Sequence, residues 1–103
     1  SKIMHNTEAR RSSLAIAARI VSGELDPYDG AMTIWKTILN SLPEPIPDDL
    51  WPFKSCASAI EDYVWNFEQG GANADAEIIR EKEEIVRAAT ALIATTGIRS
   101  NES

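Results

Sequence analysis

The stretch Gly23-Glu24-Leu25-Asp26-Pro27-Tyr28-Asp29-Gly30-Ala31 decides how this 103-residue chain folds, because it ends one helix, begins another and sets how the two meet. Gly23 can adopt the left-handed backbone conformation that closes a helix. Asp26 carries a carboxylate suited to capping the next helix. Pro27 brings the preset dihedral of a first helical position, where its missing N–H has no partner to lose. Asp29 adds a second acid at the positive end of the helix dipole. Gly23, Asp26 and Pro27 are therefore structural turn residues, and the stretch is architecture rather than chemistry.

Upstream of this turn, Thr7 to Ser22 reads as a first helix. Leu14, Ala17, Ala18, Val21 and Leu25 share one face, Arg11, Ala15 and Arg19 another, and Ile16 and Ile20 widen the apolar stripe. Downstream, Pro27 to Asn40 predicts a second helix. Tyr28, Ala31, Ile34, Trp35, Ile38, Leu39 and Leu42 line one side, and Asp29, Thr33, Lys36, Thr37 and Asn40 the other. Ser41-Leu42-Pro43-Glu44-Pro45-Ile46-Pro47 cannot continue a helix and reads as a stiff, extended connector tethered by Leu42 and Ile46.

Asp48 or Asp49 is placed to cap a third helix reaching Glu68, with Pro52 tolerated in its first turn. Phe53, Ala57, Ile60, Val64 and Phe67 form its narrow apolar face, flanked by Cys56 and Tyr63, and Trp65 falls about 120° away. Gln69-Gly70-Gly71-Ala72-Asn73 breaks the helix. A fourth helix follows from Asp75 to Thr95, with Ile78, Ile85 and Leu92 at heptad spacing and Ile79, Val86 and Ile93 beside them. Glu83 and Arg87 offer an i,i+4 pair, and Gly97 is expected to end the helix. The expectation is an all-α fold: a small four-helix bundle in one domain over residues 1–103, with the proline-rich connector crossing between helices 2 and 3.

Composition narrows the function classes. Ten Lys and Arg stand against sixteen Asp and Glu, a net charge of −6, and the distribution is uneven. Residues 1–25 are net +2, residues 26–75 net −7 and the remainder −1. An acidic middle repels phosphate backbones, so nucleic acid is disfavoured and a basic protein partner is the better match. A helix-turn-helix reading of the Gly23 turn fails on charge as well, since the second helix offers Lys36 as its lone cation. No apolar run reaches the roughly 20 residues needed to cross a bilayer, and the first residues lack the apolar core of a secretory signal, so a cytoplasmic location is expected. One cysteine, Cys56, and one histidine, His5, exclude an internal disulfide and a Cys/His zinc set. No cofactor is implied.

Two constellations remain as candidate sites. Trp51 beside Pro52, and Trp65 off the apolar stripe, are less easily buried than Trp35. With Asp48, Asp49, Glu61 and Asp62 around them they suggest an apolar centre with an acidic rim, the pattern of a recognition surface. This makes a non-catalytic protein-interaction module the first expectation. An inhibitor or immunity-type protein covering a basic partner is one concrete form, and a homo-oligomer a further option. The alternative is a metal-dependent hydrolase using Glu61, Asp62, Glu81 and Glu84, since Glu81 and Glu84 stand at the i,i+3 spacing with which helical nucleotide pyrophosphatases hold magnesium. Interleaved Arg80 and Lys82 weigh against that alternative.

The segment Ala18 to Ala31, with its Ala-Arg helix end, Gly-x-Leu-Asp-Pro turn and Gly-Ala helix start, resembles a pattern in small uncharacterised bacterial helical proteins. Leu50-Trp51-Pro52-Phe53 matches more loosely. The resemblance implies a bacterial, cytoplasmic, mostly helical protein and brings no reaction or site residue with it.

Overall fold

In a computed structural model, the backbone is described for residues 5–43, 45–68 and 74–102, and side chains for residues 5–43, 45–65 and 75–95. Four α-helices account for most of it: α1 (Asn6–Ser22), α2 (Pro27–Thr33), α3 (Trp51–Glu68) and α4 (Ala74–Glu102). No strand occurs among the described residues. α2 does not end cleanly. It runs on as a π-helical turn over Ile34–Ile38 and a short 3₁₀ turn over Leu39–Ser41 before the connector begins. The fold is thus the small all-α bundle that the sequence predicts, with the connector between the second and third helices.

The Gly23 turn behaves as its residues dictate. Gly23 sits at φ 86°, and its N–H donates to the Ile20 carbonyl at 3.2 Å. The Asp26 carboxylate accepts from the backbone N–H groups of Tyr28 at 2.9 Å and Asp29 at 3.3 Å, capping α2. Its second oxygen accepts from Lys82 Nζ of α4 at 3.1 Å. At the opposite end, Arg10 of α1 grips Asp49 with two hydrogen bonds, at 2.7 and 3.2 Å. These two ties give the topology: α1 and α3 start at the same end of the bundle, and the α1–α2 turn lies level with the early part of α4.

One apolar core joins all four helices. It contains Ile20 from α1, Ala31 from α2, Ile34, Ile38 and Leu39 from the turns beyond it, Phe53, Ala57 and Ile60 from α3, and Ile85, Ala89 and Leu92 from α4. The most extensive packing is between α3 and α4, followed by α1 against α4. Leu42 and Ile46 pack on this core from the connector, as expected.

The structure departs from expectation at several points. α1 buries Ala9, Ser13, Ala17 and Ile20, whereas Ala18 and Val21 are exposed, so the helix is turned by about one residue, ~100°, from the face that hydrophobicity selects. Small side chains make this the better face, because they let a neighbouring helix approach closely. Neither Asp48 nor Asp49 caps α3 among the described residues; a turn does so instead, with the Pro47 carbonyl accepting from Leu50 and Trp51 N–H at 3.0 and 2.9 Å. Val64 and Ile79, placed on apolar faces by their periodicity, are exposed. The tie from Asp26 to Lys82 puts the α1–α2 turn level with the third turn of α4, so the earlier turns of α4, Ile79 among them, project past it. Gly97 does not end α4, which continues to Glu102, since glycine weakens a helix by about 1 kcal/mol without forbidding it. Arg87 pairs with Glu84 rather than Glu83. The Phe67 side chain and the Gln69–Asn73 break lie outside the described residues.

Gly30 explains how closely α1 and α2 meet. A Cβ at that position would lie 2.5 Å from Ile20 Cδ1 and 2.6 Å from Ile20 Cγ1. Only a hydrogen at Cα leaves room for the buried isoleucine.

Candidate functional site

Among the described residues, the outward side of α3 shows two large aromatic rings to water. Trp51 is 48% exposed and Trp65 58% exposed. They stand fourteen residues apart, so their positions are separated by about 21 Å along the helix and by only about 40° around it. Ser55, Ser58 and Asp62 fall between them at i+4, i+7 and i+11 from Trp51, on the same side. Trp65 points away from the core for the reason its periodicity predicts, and Trp51 because it opens the helix at the rim of the bundle.

Trp51 also forms a wall of an open groove of ≈ 480 Å³, lined by Leu39, Leu42, Pro45, Ile46 and Trp51, with Asn40 and Lys54 as its polar members. The connector makes this groove, since its prolines hold it extended across the end of the 3₁₀ turn. Lys54 Nζ lies 5.6 Å from the centroid of the Trp51 ring, within range of a cation–π attraction. Sequence reasoning named Trp51 but missed Leu39, Asn40, Leu42, Pro45, Ile46 and Lys54 as its companions. The signal available was the proline spacing, which requires the connector to lie over something.

The π turn positions the groove's inner edge. Thr33, Thr37 and Ser41 each donate a side-chain hydroxyl to the carbonyl four residues back, those of Asp29, Thr33 and Thr37. Such bonds compete with the backbone for its acceptors. The Leu39 N–H reaches back to both the Ile34 and Trp35 carbonyls. Ile34, Ile38 and Leu39 all face the core from this wider turn. Trp35 is half-buried against the core, with Lys36 Nζ 3.8 Å from its ring centroid.

The acidic residues predicted to form a rim do not act as one group. Asp49 is committed to Arg10, and Asp48 and Asp62 are exposed. Glu61 lies toward α2: burial first, then the charges of Glu61 and Asp29, raise the Tyr28 hydroxyl above its ordinary value. The carboxylates of the metal alternative are likewise spread. Glu84 pairs with Arg87, and Glu81 stands beside Cys56. Among the described residues no three His, Cys, Asp or Glu side chains gather so as to hold a metal ion. Burial, followed by the neighbouring Glu81 carboxylate, pushes the Cys56 thiol up to about 11, so the thiolate that nucleophilic chemistry needs is scarce at neutral pH.

The arrangement brings together an apolar groove with one indole in its wall, a lysine at its lip and a second indole further along the same helix. No helix among the described residues is long and apolar enough to cross a membrane. No family model, no curated protein and no solved structure matches the chain.

Proposed function

We propose that this protein is a non-catalytic protein-interaction module whose recognition surface is the outward side of α3 together with the groove beside Trp51. The observation that carries this reading is the exposure of both Trp51 and Trp65 on one side of one helix. Tryptophan is enriched at the energetic centres of protein interfaces, where its large rigid ring is buried at little entropic cost. The partner is a basic protein, because a chain of net charge −6 attracts and orients a positively charged surface. An inhibitor or immunity-type protein that covers a basic functional surface is the concrete form of this proposal.

The test is affinity capture by the purified chain at low and moderate salt, alongside a Trp51→Ala/Trp65→Ala variant. A basic protein held by the wild-type chain and lost by the variant supports the reading. Failure to hold any protein at either salt removes it.

A further inference from the structure

We infer that the outward side of α3 is self-complementary and that two copies of this chain associate through it, antiparallel, about a twofold axis at Ser58. The inference rests on the reading of that surface as the recognition surface and names a second copy as an occupant. A twofold contact brings the same patch of both subunits together, so a residue a given distance before the axis meets one the same distance after it. Trp51 lies seven residues before Ser58 and Trp65 seven after, which sets Trp51 of one copy against Trp65 of the other at both ends of the contact. Lys54 lies four residues before the axis, and Glu61 and Asp62 lie three and four after it. Each lysine thus meets Glu61 of the other copy, which shares its flank of the helix, whereas Asp62, about 80° further round, faces Ser55.

The side chains present suit this contact. Among the described residues neither Lys54 nor Glu61 nor Asp62 has an ion-pair partner within its own chain. Ser58, at the centre, is small enough for the two helices to approach. The groove lined by Leu39, Leu42, Ile46 and Trp51 opens beside the position that Trp65 of a second copy would take, and its ≈ 480 Å³ admits an indole. Aromatic pairs and a lysine over a ring supply attraction beyond simple burial.

The contact is small. One helix side and a groove fall short of the ~800 Å² per partner of a standard interface, and the net charge of −6 on each chain opposes association at long range. Dissociation constants of about 100 μM are therefore expected at ~0.15 M salt, where the Debye length is ~8 Å. At working concentrations well below that the chain is monomeric and its tryptophans are open to a heterologous partner. Where it is concentrated, the second copy covers them.

Sedimentation equilibrium of the purified chain from about 10 μM to about 1 mM tests this. The expected result is a monomer at the low end and a growing dimer fraction at the high end. Trp65→Ala weakens the dimer by about tenfold or more, with unchanged circular dichroism because the ring is exposed. Lys54→Glu weakens it also, and adding Glu61→Lys to Lys54→Glu restores it, since the reversed charges again face each other. A monomer throughout the range overturns the inference, as does a dimer indifferent to Trp65→Ala or one that the combined charge reversal fails to restore. These outcomes are distinct from capture of a basic partner, which needs no dimer.

Discussion

Asp26 serves two elements with one carboxylate. One oxygen caps α2 through the N–H groups of Tyr28 and Asp29, and the other holds Lys82 of α4. An N-cap alone is worth about 1 kcal/mol, and the exposed lysine pair adds only a few tenths. Asp26→Ala is therefore expected to lower stability by about 1–2 kcal/mol in a urea melt, and Lys82→Ala by much less. Ser13 presents the opposite case. Its hydroxyl is fully buried and has no hydrogen-bond partner among the described residues, although serines inside helices commonly donate to the carbonyl four residues back. An unsatisfied buried hydroxyl is a standing cost. Ser13→Ala keeps the small volume, removes that cost and raises helix propensity, so it is expected to stabilise the protein by about 1 kcal/mol. A denaturant midpoint that fell in this variant would show that the hydroxyl has a partner after all.

Among the elements, α1 and α2 are joined as tightly as their side chains permit. Replacing a helical glycine by alanine ordinarily stabilises by up to ~1 kcal/mol, but at Gly30 the new methyl would strike buried Ile20. Overpacking costs about 1–3 kcal/mol, so Gly30→Ala is expected to destabilise by about 1 kcal/mol net, and Gly30→Ala with Ile20→Val to recover part of that loss in thermal melts. α2 was legible almost residue by residue, because its apolar side chains are large and their spacing is unambiguous. Its π turn was not, since the hydroxyls of Thr33, Thr37 and Ser41 act through hydrogen bonds that a hydrophobic pattern does not register. α1 was placed correctly but rotated wrongly, because Ala9, Ser13 and Ala17 contribute little hydrophobicity and much closeness of approach. On α3, Trp51 and Trp65 could be singled out from the sequence as poorly covered, but the groove beside Trp51 could not. It depends on where the connector lies, a matter of tertiary packing.

For the whole molecule, acid is the condition to which stability should respond. Burial tends to raise the Asp26 carboxyl, but the Lys82 hydrogen bond and the two backbone N–H groups outweigh it and leave the group below its usual 3.8. A carboxyl depressed on folding binds its proton more readily in the unfolded chain, so its contribution is complete above the unfolded value and is lost as pH falls through the folded one. Unfolding temperatures are therefore expected to hold between pH 7 and 5 and to drop below about pH 4, with a shallower drop in Asp26→Asn. The placement of the indoles has a practical corollary for anyone following such melts. Two of the three already meet water in the native state, so their emission has little further to shift to the red when the chain unravels. Light from this protein is a poor gauge of whether it is folded and a good one of whether something has settled on α3. Contact there should move the emission blueward and shield it from a dissolved quencher such as iodide.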